Sequence, residues 1–578
     1  MDDATRLEPT VADLVAAARS WAAGDPDVGT ATALAAVADA AERGDPDARA
    51  ELVAALVPPI AFGTAGLRGP VGPGPARMNR ATVLRTTWAV AAHVRAAAGD
   101  GAEVVVAFDA RPDSARFADD VVGVLVAAGL RVALWPEPTP TPLAAWAGKE
   151  RAAAATIVVT ASHNPPADNG VKLYGPDAIQ IVPPTDVEVA GLIDTAPAAA
   201  EVPRHPDPHA APEVTLLGPE DEARYRAAVV DAVASAPAPP AQVRLVHTAL
   251  HGVGARVVRA VLAEAGHLDL HEVASQAEPD GAFPTVAFPN PEEPGALDAA
   301  LALARELDAD LVLANDPDAD RVAVAAPDGA GGWTALTGNE VAVLLADDLL
   351  GRREVDRPLV VSSIVSTPWL DEVVAAHGAR SERTLTGFKW ICTAAAALEA
   401  EGATPVLGTE EALGYAIGTL VRDKDGISAA LAVADLAARL AAEGRTVAGA
   451  LDDLRRRTGA WASVQHSVVR TGVTGAADIA AAVDAAATLD LRELAGHPVT
   501  ARRDLREGAA DRPRWLPAAD LVELTLVDGR ALIRPSGTEP KCKVYVDLRG
   551  EDPADVQGVR REALAVARAL AVAVGLEA

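Results

Sequence analysis

The sequence predicts an α/β protein of several domains, with mixed, mainly parallel sheets. Three observations carry this. The chain has 578 residues, too many for one hydrophobic core, so about three to five domains are expected. Strand-like and helix-like runs alternate along most of its length, the pattern of βαβ units. A plan of strand, polar loop and helix recurs in three successive sections, and a fourth closes the chain with a strand and a long helix.

Taken in order, residues 1 to about 57 read as helices broken at Gly24-Asp25-Pro26 and Gly44-Asp45-Pro46. Val104-Val105-Val106-Ala107-Phe108 reads as a strand, 118–128 as a helix, and 131–135 and Thr156-Ile157-Val158-Val159 as further strands. A Pro/Ala-rich connection follows at 196–212, and another at 235–240. A second α/β unit begins near Val243 and reaches the strand Asp310-Leu311-Val312-Leu313-Ala314. Asp328-Gly329-Ala330-Gly331-Gly332 breaks the chain before a third unit, which contains Leu359-Val360-Val361-Ser362-Ser363. The last section holds Ala531-Leu532-Ile533-Arg534 and an amphipathic tail helix from Val559. The domains are therefore expected at 1–212, 213–328, 329–459 and 460–578.

Composition excludes several function classes. Asp and Glu total 81 against 51 Lys and Arg, a formal charge of −30. Such a surface repels nucleic acid and anionic membranes. It also repels phosphorylated substrates at long range, so a phosphate site must be a local basic pocket. The two cysteines, Cys392 and Cys542, form no CxxC pair and read as reduced thiols of a cytoplasmic protein. Met1-Asp2-Asp3-Ala4 lacks the basic and apolar regions of a signal peptide, and no uncharged apolar run reaches the ~20 residues of a membrane span.

Two loops carry most of the chemistry. Thr160-Ala161-Ser162-His163-Asn164-Pro165 follows a strand, where open α/β sheets place reactive groups. A serine hydroxyl needs a base or a metal to become a nucleophile, and no Gly-x-Ser-x-Gly elbow surrounds Ser162. The continuation from Asp168 to Tyr174 adds Lys172 and an Asn169-Gly170 pair that reads as a tight turn. The second loop is Asp316-Pro317-Asp318-Ala319-Asp320-Arg321. Three carboxylates at alternate positions can converge on one hard cation such as Mg²⁺. A calcium EF-hand would need Gly at the sixth loop position and Glu at the twelfth, where Arg321 and Pro327 stand.

Three further loops are less specific alone. Phe62-Gly63-Thr64-Ala65-Gly66-Leu67-Arg68-Gly69 is glycine-rich with one arginine. Thr409-Glu410-Glu411-Ala412-Leu413-Gly414-Tyr415 offers paired carboxylates at a strand end, able to accept hydrogen bonds from sugar hydroxyls. Arg534-Pro535-Ser536-Gly537-Thr538-Glu539-Pro540-Lys541 combines a bidentate phosphate ligand with hydroxyls and a turn suited to anions.

In this order, from Phe62 to Lys541, these motifs resemble the α-D-phosphohexomutase superfamily, which includes phosphoglucomutase and phosphomannomutase. The FGTAGLRG run is similar to its phosphoglucomutase branch. The resemblance implies three related α/β domains and a smaller C-terminal α+β domain around a central cleft. It implies that Ser162 is phosphorylated and hands its phosphoryl group to a sugar. Asp316, Asp318 and Asp320 would bind Mg²⁺ together with an oxygen of that phosphoserine, and Arg321 would lie near the transferred group. Arg68 would face the active site, and His163 would shape the serine loop. Lys172, or Lys389 in the segment Thr386-Gly387-Phe388-Lys389, would be general acid and base. Glu410 would read the sugar ring; Arg534, Ser536, Gly537 and Thr538 would grip the phosphate that is not reacting. Asp109-Ala110-Arg111 and the run Val421-Arg422-Asp423-Lys424-Asp425-Gly426 would be architectural.

The implied activity is interconversion of glucose 1-phosphate and glucose 6-phosphate, with glucose 1,6-bisphosphate as intermediate and activator. The sugar loop departs from the family at Ala412, where a serine is usual, and at Thr409, where a glycine is usual. Phosphomannomutase, phosphopentomutase and glucose 1,6-bisphosphate synthase activities therefore stay open, as does a non-catalytic sugar-phosphate sensor. The expected partner is a small sugar phosphate, with neither nucleic acid nor membrane, and the expected state is a monomer or weak dimer.

Overall fold

The computed structural model describes residues 10–61, 66–234, 239–329, 331–470, 475–536 and 541–577. Three helices open it, Val11–Ala23, Val28–Glu42 and Pro46–Leu56, each started by a side-chain cap, from Thr10, Asp27 and Asp45. The glycine–proline breaks fall between them as expected. Leu14, Val15, Ala18, Leu34, Ala38, Leu52 and Leu56 give the trio its own small core.

Three mixed sheets follow, and they share one design. Glu103–Phe108 lies in the parallel heart of the first, beside Arg131–Leu134 and Ala155–Val159. At one edge Ala155–Val159 turns back antiparallel into Asp168–Tyr174, which pairs in turn with Leu67–Pro70. In the second sheet Leu311–Asn315 runs parallel to Leu245–Thr248 and turns back into Val322–Pro327. In the third, Thr404–Glu410 runs parallel to Pro358–Ser363 and turns back into Gly414–Ile417. Each parallel core thus carries an antiparallel hairpin at its edge, and each hairpin crest holds one of the predicted functional loops. The parallel strands are continuous runs of buried Val, Leu, Ile and Ala, as sheets covered on both faces require.

The fourth sheet is antiparallel throughout, anchored by the ten-residue pairing of Ala460–Val469 with Lys541–Gly550. The helices Gly475–Thr488 and Val556–Ala573 share its core through Ile479, Val483, Val566 and Leu570. It meets the third sheet through a shared apolar cluster that includes Phe388, Trp515, Leu532 and Tyr545.

Two expectations need correction. The Asn169-Gly170 pair is not a turn: both residues lie inside the strand Asp168–Tyr174. The turn comes earlier, at the serine loop. Gly170 is required for close packing instead, because a Cβ there would stand 2.5 Å from the Leu67 carbonyl oxygen and 2.7 Å from that of Thr160. The boundary at 212 also cuts through the first sheet's territory, since Val214–Leu216 pairs in parallel with Arg131–Leu134.

Gly170→Ala therefore destabilises the protein by about 1–3 kcal/mol through overpacking. Gly191→Ala, on an exposed helix position with open space around it, is neutral or slightly stabilising. Urea-denaturation midpoints of the two variants check this contrast.

Candidate active site

The serine loop is held in a strained shape by one buried arginine. Ser162 has φ of 52°, the left-handed region that non-glycine residues avoid. The Arg111 guanidinium donates to the carbonyl oxygens of Ser162 (2.6 Å), Asn164 (2.7 Å), Pro165 (2.6 Å) and Asp168 (2.9 Å). Its Nε donates to Asp109 at 3.2 Å, and the guanidinium stacks over the Phe283 ring at 5.1 Å. Asp109 also accepts from Ser114 and from Thr160 Oγ1, which in turn accepts from the Ser162 amide at 2.8 Å. The planar five-donor fork suits a loop whose carbonyls all point inward.

So positioned, Ser162 Oγ donates to Asp316 Oδ2 at 2.9 Å, across the boundary between the first two sheets. His163 Nδ1 lies 3.3 Å from the same hydroxyl. Burial, with Arg321 and Arg68 nearby, holds the His163 imidazole well below its ordinary pKa, so the ring is neutral.

Asp316, Asp318 and Asp320 are buried, with one carboxylate oxygen of each within 4.8 Å of the others. Burial and the charges of Asp320 and Asp318 push Asp316 well above the usual carboxyl range. Burial would raise Asp318 and Asp320 too, but Lys172, fully buried, donates to both at 2.6 Å and holds them ionised. Thr141 adds a hydroxyl hydrogen bond to Asp318 (2.6 Å) and a backbone amide to its carbonyl (3.0 Å). Even so, Asp318 Oδ1 and Asp320 Oδ1 are buried without hydrogen-bond partners. Two orphan carboxylate oxygens beside a third carboxyl are a donor set that fits a hard divalent cation.

Arg321 closes the loop. Its amide donates to Asp316 Oδ1 at 3.0 Å, and its guanidinium lies 3.8 Å from Asp320. An isolated antiparallel bridge joins Arg321 to Gly414, so the aspartate and sugar hairpins are stitched together. Arg68, on the Leu67–Pro70 edge strand, feels the Asp318 and Asp320 charges, and its buried Nε has no hydrogen-bond partner.

The paired glutamates of the third hairpin are not equivalent. Glu411 accepts from Ser363 at 2.8 Å and from Ser366 at 3.5 Å. Among the described residues no hydrogen bond engages the Glu410 side chain. Burial pushes its carboxyl up to about 6, against the pull of Lys424 and Arg321. Lys424 was expected to be architectural, yet its Nζ is buried 3.4 Å from both Asp320 and Asp423. Asp423 is in turn held by Tyr174 (2.6 Å) and Gln180 (2.7 Å).

The remaining predicted residues sit elsewhere. Lys389 Nζ lies 3.9 Å from Asp186 and 5.9 Å from the Trp390 ring centroid, neither of which belongs to the serine–aspartate cluster. Arg534 Nη1 donates to Thr386 Oγ1 at 2.5 Å, three residues before Lys389. The Ser536 amide donates to the Lys541 carbonyl at 2.8 Å. Gly537 and Thr538 lie outside the described residues, as do Phe62 to Ala65 of the glycine-rich loop. Sequence reasoning missed Thr141, Lys424 and the clamping role of Arg111. Thr141 stands in an unremarkable Pro-Thr-Pro run, and only the folded chain brings it 177 residues along the sequence to Asp318.

Comparison with known proteins gives the family. The phosphoglucomutase/phosphomannomutase alpha/beta/alpha domains I, II and III match residues 59–199, 223–329 and 337–457, and the family's C-terminal domain matches 477–565. The chain belongs to the phosphoglucomutase/phosphomannomutase family. It is a sugar-phosphate mutase, an isomerase of the phosphohexomutase class. A probable phosphomannomutase of Haemophilus influenzae is 38% identical over 84% of this chain and 96% of its own length. A probable phosphoribomutase of Schizosaccharomyces pombe is 32% identical over 86% and 88%. A phosphoglucomutase of Staphylococcus haemolyticus is 31% identical over 85% and 90%. Among the described residues no helix is long and apolar enough to cross a membrane.

Arg111→Lys keeps the charge but loses the fork. Mutase turnover falls about tenfold or more because the serine loop relaxes, while the thermal midpoint moves by only a few degrees. A coupled mutase assay beside a melting curve checks both.

Proposed function

We propose that this mutase is a phosphoglucomutase that works through a phosphoserine at Ser162. The observation that carries the reading is the Ser162 hydroxyl, held in a strained loop 2.9 Å from the first of three converging aspartates. Asp316, Asp318 and Asp320 would hold Mg²⁺, with a phosphate oxygen of the modified serine as a further ligand. When bound, the ion neutralises charge developing on the transferring phosphoryl group.

In the forward half-reaction the free sugar hydroxyl attacks phosphorus and gives its proton to a base, while the bond from phosphorus to Ser162 Oγ breaks and Oγ takes up a proton to leave as the free hydroxyl. The resulting bisphosphate turns round, and Ser162 takes the other phosphoryl group back. Lys172, locked as a cation between two aspartates, contributes charge and hydrogen bonds. Lys389, outside the serine–aspartate cluster, would contact the substrate phosphate. Arg68 and Arg321 bring positive charge to the transferring group. Arg534 and Ser536, with Gly537 and Thr538, would hold the resting phosphate beside Lys389. Glu410 would accept from ring hydroxyls.

A second reading, pentose phosphate as substrate, is favoured by one observation. Ala412 supplies no hydroxyl and Glu411 is tied to Ser363 and Ser366, so Glu410 alone is left to read the ring. The phosphoribomutase name of the yeast relative supports the same reading. A coupled assay with Mg²⁺ and a trace of glucose 1,6-bisphosphate separates the two. Glucose 1-phosphate turning over well ahead of ribose 1-phosphate and mannose 1-phosphate supports the first reading. Ribose 1-phosphate leading supports the second.

Glu410 is uncharged below about pH 6 and a carboxylate above it. Acceptance of sugar hydroxyls by the carboxylate therefore makes KM fall as pH rises through 6. Glu410→Gln raises KM about 10- to 100-fold and removes that step, as initial rates between pH 5 and 8 would show.

A further inference from the structure

The Arg111 clamp on the serine loop has a counterpart on the aspartate loop, and it leads to a histidine outside the serine–aspartate cluster. Asn315 ends the strand Leu311–Asn315, immediately before Asp316, and is fully buried. Its Nδ2 donates to the Arg321 carbonyl oxygen at 2.7 Å, so one side chain ties the two ends of the Asp316–Arg321 turn. The turn needs such a tie. It keeps three carboxylates within 4.8 Å of one another, and Ala319 inside it has φ of 58°.

Behind Asn315, on the neighbouring strand Leu245–Thr248, stands His247, also fully buried. Its Nε2 lies 3.0 Å from Asn315 Oδ1. The Arg321 carbonyl can only accept, which turns the Asn315 Nδ2 toward it and leaves Oδ1, an acceptor, facing the imidazole. His247 Nε2 therefore carries the ring proton. Nδ1 has no hydrogen-bond partner; it lies 4.0 Å from Glu272 Oε1, which is likewise buried and unpartnered. At that separation no hydrogen bond fixes the opposite tautomer, and Glu272 gives its other oxygen to Arg259. Burial and Arg259 hold the imidazole below its ordinary pKa against the pull of Asn315 and Glu272, so the ring is neutral.

We propose that His247 is a positioning residue for divalent-cation binding, its Nε2–H holding the Asn315 amide in the orientation that closes the aspartate loop. His247 pairs with none of the three carboxylates and acts through Asn315, as residues behind a metal ligand do. This role rests on the reading of the aspartates as a cation site.

The test uses the full chain without substrate, with Mn²⁺ as probe and free ion measured by electron paramagnetic resonance. The wild-type protein is expected to bind one Mn²⁺ tightly. His247→Leu, which has no donor, weakens that binding about tenfold or more. His247→Gln can donate to Asn315 from the same strand position and recovers most of the affinity. The Mg²⁺ concentration that half-saturates turnover moves in step, while KM for sugar phosphate at saturating Mg²⁺ is unchanged. A residue that only packs would instead lower the melting temperature of both variants and leave Mn²⁺ affinity alike in them. Long-range proton–nitrogen spectra of the wild-type protein, with His247 assigned by its absence from His247→Gln, are expected to show a protonated Nε2 and a bare Nδ1. That tautomer decides if His247→Leu fails to fold. Mn²⁺ affinity unchanged in both variants, equal loss in both, or the proton on Nδ1 overturns the proposal. A wild-type protein that binds no Mn²⁺ overturns the cation reading itself, and this role with it.

Discussion

Everything in the centre of this molecule is arranged around the mutual repulsion of three buried aspartates. Asp316, Asp318 and Asp320 could not stay together as carboxylates in an apolar interior unaided. The structure supplies two lysines from different sections of the chain, Lys172 at 2.6 Å and Lys424 at 3.4 Å. A threonine from the first sheet and an arginine at the loop's end add hydrogen bonds and charge. The contacts that neutralise the acidic loop therefore also join the first three domains, beside one apolar cluster that runs through all three. Two oxygens remain unsatisfied, which makes the cluster receptive to a cation.

The same geometry explains why three similar domains can build one site. Each carries its functional loop at the crest of a hairpin on the edge of a parallel sheet, and the crests touch. Ser162 reaches Asp316, and Arg321 pairs with Gly414. Glycines keep the approach close: a Cβ at Gly426 would stand 2.3 Å from the Arg321 carbonyl oxygen. The fourth domain attaches differently, through a shared apolar seam and several hydrogen bonds, among them Arg534 on Thr386, Arg530 on the Ser366 carbonyl and Trp515 on Glu382.

Much of this was legible in the chain. Strand alternation, the glycine–proline breaks of the extension and the loops at strand ends are local signals, and they reappear in the structure. The aspartate triplet was readable because its spacing is its chemistry. What was not legible depends on pairing across long sequence distances. Asn169-Gly170 resembles a turn locally, but the edge strand Leu67–Pro70 packs over Gly170 and keeps it extended. Lys424 and Thr141 carry no motif that names their partners. The difference between Glu410 and Glu411 is invisible until Ser363 and Ser366, nearly fifty residues away, claim one of them.

The central claim is that Ser162 carries the phosphoryl group. Incubation with glucose 1,6-bisphosphate and Mg²⁺, followed by tandem mass spectrometry of the peptide spanning residues 160–172, tests it directly. The account predicts one phosphoryl group located on Ser162 and lost again on addition of sugar monophosphate. An active enzyme with that peptide unmodified, or with the group stably bound on another residue, would contradict it.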